Sequence, residues 1–162
     1  MRDILRVLDG SSRSADDKRT FVKAQIVFWM LAAVDGHAKN FSIFHERGGS
    51  YRLTPFYDVL SAWPIIGRGA NKLDVHKAKL AMAVRSKNPH WKLNEMKARH
   101  WETVTRAAGL GSATSLLAEI VTQTPRVLEK VAREIPANFT AVVRDKIFDG
   151  LRRTAKEVAA DL

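Results

Sequence analysis

Apolar residues recur at helical spacing in the first quarter of the chain, where one helical face would carry Phe21, Ala24, Phe28 and Leu31. Two aspartates, at positions 16 and 17, precede this face, in the turn where the helix dipole favours negative charge. The pattern predicts a helix over residues 16–34 that the Asp35–Gly36 pair ends. A shorter amphipathic segment over residues 2–8 predicts another helix before the break at residues 9–12.

The middle of the chain alternates apolar and polar residues, which is typical of strands. Residues 41–44 and 51–53 flank a turn with two glycines and predict one β-hairpin, and residues 80–84 and 91–93 predict a second. The remaining residues predict three helices, the first with Asn94 as its N-cap, over residues 94–108, 112–134 and 138–160. We therefore expect a mainly α chain of the α+β class, a helical bundle with one or two β-hairpins.

Length and composition limit the class of protein. With 162 residues, 46% of them hydrophobic, the sequence predicts one domain over residues 1–162 with its own core. The chain has no cysteine, which excludes disulfides and favours a reducing compartment, so we expect a cytoplasmic protein. Its longest apolar run, residues 26–34, is much shorter than the roughly 20 residues that cross a bilayer, and we expect no membrane partner.

The positive charge of the chain is concentrated in one segment. The formal net charge is +10, and residues 68–106 hold ten basic and three acidic residues. Such a surface attracts phosphates, because each neutralised phosphate of a nucleic acid releases condensed counterions. A solvated basic face without a partner is the alternative that charge alone leaves open.

Three side chains with oxygen ligands follow the predicted central helix. Asn40 comes five residues after Asp35, and Asp58 follows the first predicted hairpin, which can fold it back beside Asp35. Phosphoryl transfer uses such a set, with one aspartate for the hydroxyl proton and an Asn and an Asp for Mg²⁺. A structural turn, in which Asp and Asn bond the backbone, is the alternative. The order helix, loop, hairpin and aspartate favours the functional interpretation.

These residues resemble those of the HipA-like toxin kinases, which are bacterial serine/threonine protein kinases. The resemblance is carried by residues 34–42, Val-Asp-Gly-His-Ala-Lys-Asn-Phe-Ser, and by residues 53–58, Leu-Thr-Pro-Phe-Tyr-Asp. It is strongest over about Phe21 to Val84, continues through the segment with Arg99–Trp101, and becomes looser over the last third, so it covers most of the chain. It implies the fold of a protein-kinase carboxyl-terminal lobe and transfer of the γ-phosphoryl group of ATP to a protein serine.

The resemblance also implies roles for four polar residues of the first motif and for the last residue of the second. Asp35 is expected to be the catalytic base, with Asn40 and Asp58 as ligands of Mg²⁺. His37 and Lys39 are expected in the same loop near the phosphates of the co-substrate ATP. For His37, a hydrogen-bonded scaffold role is the alternative.

Family membership would bring macromolecular partners as well. Members of the family act in type II toxin–antitoxin systems, in which a helix-turn-helix antitoxin holds the kinase on operator DNA. The freed toxin phosphorylates a translation component such as an aminoacyl-tRNA synthetase. The resemblance therefore implies an antitoxin, a protein substrate of that kind, and contacts between operator DNA phosphates and the basic segment 68–106.

Two features keep other functions open. A kinase also needs a glycine-rich loop and a strand lysine before its catalytic loop, and none of the 34 residues before Asp35 fits either. We therefore expect residues 1–162 to lack an ATP-binding lobe, which leaves an inactive remnant that binds antitoxin or DNA, or a split kinase, as alternatives. The order Asp35–Gly36–His37 is also closer to the catalytic loop of lipid kinases than to that of eukaryotic protein kinases. A non-protein substrate is therefore a third alternative.

Overall fold

A computed structural model describes residues 1–162 of the chain. It has five α-helices: α1 (Arg2–Asp9), α2 (Ser14–Met30), α3 (Glu102–Ala107), α4 (Ala113–Glu134) and α5 (Ala141–Ala160). Two antiparallel hairpins are formed by β1 (Ile43–His45) with β2 (Tyr51–Leu53) and by β3 (Lys79–Arg85) with β4 (Pro89–Lys92). The predicted mainly helical architecture with β-hairpins is confirmed.

Helix α2 lies at the centre of the core because it buries side chains over most of its surface. Phe21, Ile26 and Met30 are fully enclosed. Trp29 stacks on Trp101, which precedes α3, with the ring centroids 5.9 Å apart. The same core takes side chains from β3, α4 and α5. Burying one large apolar side chain is worth about 1.5–3 kcal/mol, so these buried side chains of α2 contribute much of the stability of the core.

Helix α2 ends at Met30, so the prediction that it continues to residue 34 was wrong. Ala32 has a φ of 51°, a left-handed conformation that interrupts the helix. The carbonyls of residues 30, 31 and 32 accept hydrogen bonds from Trp63 Nε1 at 2.9 Å, Ser61 Oγ at 2.6 Å and the main-chain N–H of Ala62 at 3.0 Å. Bonds to a distant segment, rather than local propensity, therefore decide where the helix ends.

The helix predicted over residues 94–108 is wrong in its first half. Two short 3₁₀ turns, Leu93–Glu95 and Ala98–Trp101, precede α3, and Asn94 lies inside the first turn rather than at a helix N-cap. Extended backbone separates the two turns. It is held by a 2.7 Å hydrogen bond from the main-chain N–H of Ala98 to Asp161 Oδ2, just after α5. A tertiary contact again overrides local helix propensity.

The two carboxyl-terminal helices confirm the prediction, with nearly the predicted ends. Ser112 is the N-cap of α4, and its Oγ accepts a hydrogen bond from the main-chain N–H of Thr114 at 3.1 Å. Helix α5 packs against α4 and brings Gly150 onto the indole ring of Trp63, where a Cβ would overlap the ring. None of the five α-helices has both the length and the apolar composition that crossing a membrane requires.

Two histidines join the second hairpin to the turn before α3. The rings of His90 and His100 stack with their centroids 3.7 Å apart and their planes at 6°. His100 is 7% exposed, and its Nδ1 accepts a hydrogen bond from the main-chain N–H of Lys97 at 3.1 Å, so this nitrogen carries no proton. Burial, then the nearby positive charges of His90 and Arg99, lowers the pKa of His100 below its ordinary value.

We expect the free energy of unfolding to fall as the pH falls below about 6.5, the ordinary pKa of histidine. The unfolded chain binds a proton on His100 at a higher pH than the folded chain does. The stabilisation is therefore complete above this pH and is lost as the pH falls through the lowered pKa of folded His100. Urea titrations across this range measure the effect.

Matched variants assign the pH effect to one residue. In His100→Asn, the Asn Oδ1 can still accept the Lys97 N–H but does not titrate, so its profile should be flatter. His45→Asn removes an exposed histidine and should keep the wild-type profile. Equal flattening in both variants would contradict this assignment.

Candidate active site

The loop after α2 and the loop after β2 meet at two polar side chains. Asn40 Nδ2 donates a hydrogen bond of 2.8 Å to Asp58 Oδ2. Asn40 is buried, and its Oδ1 accepts a hydrogen bond of 3.2 Å from the main-chain N–H of His37. The amide of Asn40 is therefore held at both ends, and two of the five predicted site residues lie in direct contact.

Asp35 lies at the start of the same loop and faces solvent. Its carbonyl accepts a 2.7 Å hydrogen bond from the main-chain N–H of His37, the same group that reaches Asn40. Its carboxylate makes no hydrogen bond or ion pair within the chain and so remains free to accept a proton. Lys39 is also exposed, and its ammonium group has no carboxylate partner.

His37 has an unpaired nitrogen in this loop. Its ring is half-buried, and its Nδ1 is enclosed without a hydrogen-bond partner. A buried polar atom of this kind carries a free-energy cost unless a ligand or water satisfies it. The main-chain N–H of His37 orients Asn40, so the residue already has a structural role in addition to this free nitrogen.

Aromatic rings beneath both loops hold them together. Phe41 follows Asn40, and Phe56 precedes Asp58 by two residues. Their ring centroids lie 5.8 Å apart, and both rings contact Phe28 of α2 in tilted or edge-to-face arrangements. Asn40 is next to one anchored ring, and Asp58 is two residues from the other. Packing of these rings against α2 therefore fixes the distance between Asn40 and Asp58.

The backbone of Asp58 is strained, and contacts made by the residues before and after it stabilise this conformation. Its φ is 56°, in the left-handed region, which aspartate tolerates better than most residues but still at a cost. Before it, the main-chain N–H of Leu53 donates a 2.8 Å hydrogen bond to the buried carboxylate of Asp17 in α2. After it, Ser61 and Ala62 bond the end of α2. Such strain persists only where the surrounding structure imposes it, and it is common at functional sites.

The donor set fits Mg²⁺ bound together with a nucleotide. No three His, Cys, Asp or Glu side chains lie close enough to hold a metal ion by themselves. Asn40 and Asp58 supply one amide oxygen and one carboxylate. Mg²⁺ is usually held by one or two carboxylates together with substrate phosphates and water, so these two residues are a sufficient protein contribution.

The predicted basic segment is largely unpaired. Within residues 68–106, salt bridges join Lys92 to Glu95 and Arg106 to Glu102. The other eight basic residues are exposed and have no acidic partner: Arg68, Lys72, Lys77, Lys79, Arg85, Lys87, Lys97 and Arg99. In β3 the buried residues alternate with exposed ones, which puts Lys79 and Arg85 on the solvent side of the strand.

Comparison with protein families decides the family of this chain. A sequence model described as the HipA-like C-terminal domain matches residues 1–138. The chain belongs to this family. One relative, "Putative kinase Y4mE" of Sinorhizobium fredii, is 31% identical over 127 residues, which cover 74% of this chain and 27% of the relative.

The fold of this HipA-like domain also occurs in a solved structure. HipA of Shewanella oneidensis MR-1, in a complex of HipA, HipB and operator DNA, matches with a TM-score of 0.75 at 15% identity. The match covers 98% of this chain and 35% of that chain, so the chain spans about a third or less of the proteins that it resembles. The expected HipA-like family and kinase-like fold are confirmed.

Sequence reasoning missed the residues that position the site. The sequence pattern predicts Asp17 to be a charge in the first helical turn, but it is buried and accepts a hydrogen bond from the Leu53 main chain. The pattern predicts that Gly36 ends a helix, but Gly36 lies against the ring of Phe28, where a Cβ would overlap. Tyr57 was part of the second motif without a role, and its hydroxyl bonds Ser42 and the Lys39 carbonyl. Only Asp17 carried a local signal, because it lies four residues before Phe21, on the apolar face of the helix.

We expect Gly36→Ala to lower the free energy of unfolding by about 1–3 kcal/mol, because the added methyl group overlaps Phe28 and overpacks the site loop. Gly67→Ala is the matched control. Its nearest atom would be Lys72 Cδ at 3.8 Å, and its φ does not require glycine. Urea denaturation of both variants measures the difference, and equal stabilities would mean that the loop yields freely at Gly36.

Proposed function

We propose that this chain is the catalytic-loop part of a HipA-like serine/threonine-protein kinase, which transfers the γ-phosphoryl group of ATP to a protein serine. The hydrogen bond between Asn40 and Asp58 is the observation that supports this most directly. It joins the two predicted ligands across a hairpin, in the order that kinase motifs have. The free carboxylate of Asp35, at the start of the same loop, provides a base.

In this mechanism Asp35 accepts the proton of the serine hydroxyl as its oxygen forms a bond to the γ-phosphorus. The bond from that phosphorus to the β,γ-bridging oxygen breaks, and ADP leaves with the electron pair. Asn40 and Asp58 would hold Mg²⁺, which neutralises negative charge on the phosphates when it is bound. Lys39 lies exposed in the same loop, where its ammonium group is available to phosphate oxygens, whereas the Nδ1 of His37 is enclosed.

We expect Asp58→Asn to weaken Mg²⁺-dependent ATP binding at least about tenfold, because the neutral amide is a poorer Mg²⁺ ligand than the carboxylate. Calorimetric titration of the chain with ATP, with and without Mg²⁺, measures the affinity. Asp35→Asn is the matched control. It should bind Mg²⁺–ATP like the wild type, because Asp35 acts on the acceptor hydroxyl.

Two outcomes would contradict the proposed function. Equal loss of binding in Asp35→Asn and Asp58→Asn would mean that the two aspartates do not have separate roles. Absence of binding by the wild-type chain at millimolar ATP would mean that this chain alone is no kinase, and would favour the inactive remnant that binds antitoxin or DNA.

A second proposed function concerns partners. We propose that the chain acts in a type II toxin–antitoxin system, bound to a helix-turn-helix antitoxin, with its basic segment 68–106 against operator DNA. Eight exposed basic residues without acidic partners support the DNA contact, as does the complex with HipB and operator DNA in which the structural relative was solved. Such contacts would position the protein on DNA without reading base sequence.

We expect the double variant Lys79→Gln, Arg85→Gln to bind duplex DNA more weakly than the wild type. If each side chain neutralises one phosphate, the slope of log affinity against log salt concentration should fall by about 2. Fluorescence anisotropy at several salt concentrations measures this slope. The control double variant Arg126→Gln, Arg133→Gln removes two exposed charges from α4. Equal slopes for the two double variants would show that binding is not localised to β3.

The identity of the acceptor is the remaining part of the proposal. By family resemblance it is a translation component of the cytoplasm, such as an aminoacyl-tRNA synthetase. The Asp35–Gly36–His37 order supports a non-protein substrate as the alternative. Radiolabelled ATP offered with a protein extract and, separately, with a small-molecule extract distinguishes the two.

A further inference from the structure

Tyr57 makes the second direct bridge between the two loops of the candidate site. Its hydroxyl donates a 3.1 Å hydrogen bond to the carbonyl of Lys39. The same oxygen lies 2.6 Å from Ser42 Oγ, which can donate to it because the single phenolic proton is used on Lys39. Tyr57, the residue before Asp58, is thus bonded to Lys39 and Ser42. These two residues flank the Asn40–Phe41 pair.

The two bridges run side by side. One joins residue 39 to residue 57, and the other joins residue 40 to residue 58. The direction in which the Asn40 side chain points depends on the position of the main chain at residue 39, in addition to the hydrogen bond from the His37 N–H. Rotation about the peptide between residues 39 and 40 is opposed by the Tyr57 hydrogen bond, because that bond holds the carbonyl of this peptide.

Core packing does not account for the position of the Tyr57 hydroxyl. Tyr57 is 44% exposed, whereas the neighbouring Phe56 contacts the rings of Phe28 and Phe41. A side chain that exposes this much aromatic surface gains less from burial than a core residue does. The contribution of Tyr57 is therefore the hydrogen bonding of its hydroxyl. The next residue, Asp58, has a φ of 56°, a conformation that its surroundings must impose.

We infer that Tyr57 is a positioning residue of the candidate site, whose hydroxyl fixes the Lys39–Asn40 peptide and thereby the alignment of Asn40 with Asp58. The consequence for metal binding rests on the proposed function, whereas the consequence for the Asn40 side chain does not. Loss of the hydroxyl should leave both ligands present and misaligned for part of the time.

Tyr57→Phe tests this, with Tyr51→Phe as a matched control. Tyr51 is the other tyrosine of the chain, and its hydroxyl also donates to a main-chain carbonyl, that of Val7, remote from the site. Each variant therefore loses one phenolic hydroxyl bonded to the backbone. We expect Tyr57→Phe to weaken Mg²⁺–ATP binding about three- to tenfold, corresponding to one modest hydrogen bond, and Tyr51→Phe to leave it unchanged.

A second readout needs neither metal nor nucleotide. In the ¹⁵N-labelled chain, the side-chain amide resonances of Asn40 should shift in Tyr57→Phe and stay in place in Tyr51→Phe. If the wild type fails to bind Mg²⁺–ATP, the proposed function fails, and these resonances still decide the inference. Unchanged Asn40 resonances in Tyr57→Phe, or unchanged affinity where the wild type binds, would overturn it.

Discussion

The carboxyl end of α2 leaves main-chain carbonyls without helical partners, and the structure of the site depends on how they are satisfied. Every helix faces this problem, and solvent or a local cap solves it in most cases. Here the donors are Ser61, Ala62 and Trp63, from a segment about thirty residues away. Because these bonds end the helix and anchor the chain just after Asp58, one set of contacts places both loops of the candidate site.

Apolar packing determines the spacing of the polar residues. Phe41 and Phe56 lie against Phe28, so that the Asn40 and Asp58 loops share one aromatic support on the central helix. Asp17 adds a polar anchor from the same helix by accepting the N–H of Leu53 at the end of β2. Asn40 and Asp58 are therefore held from both sides, whereas Asp35 and Lys39 face solvent.

Membership of the HipA-like family gives these contacts a functional context. The chain shares the fold of HipA at only 15% sequence identity, so the fold is retained while most side chains differ. The contact between Asn40 and Asp58 depends on a strained backbone, a buried amide and an aromatic support, each with a free-energy cost or a packing requirement. The three features together hold Asn40 against Asp58 in one defined geometry.

The sequence alone determined which elements form and which residues are candidates for chemistry. Periodicity reports local burial, so it identified α2, α4, α5 and both hairpins, and motif order singled out Asp35, Asn40 and Asp58. Only the tertiary structure decided where α2 ends, why residues 94–101 are not α-helical, and that Tyr57 reaches Lys39. These features depend on hydrogen bonds between segments far apart in the chain, such as Ala98 with Asp161, and local patterns hold no information about such partners.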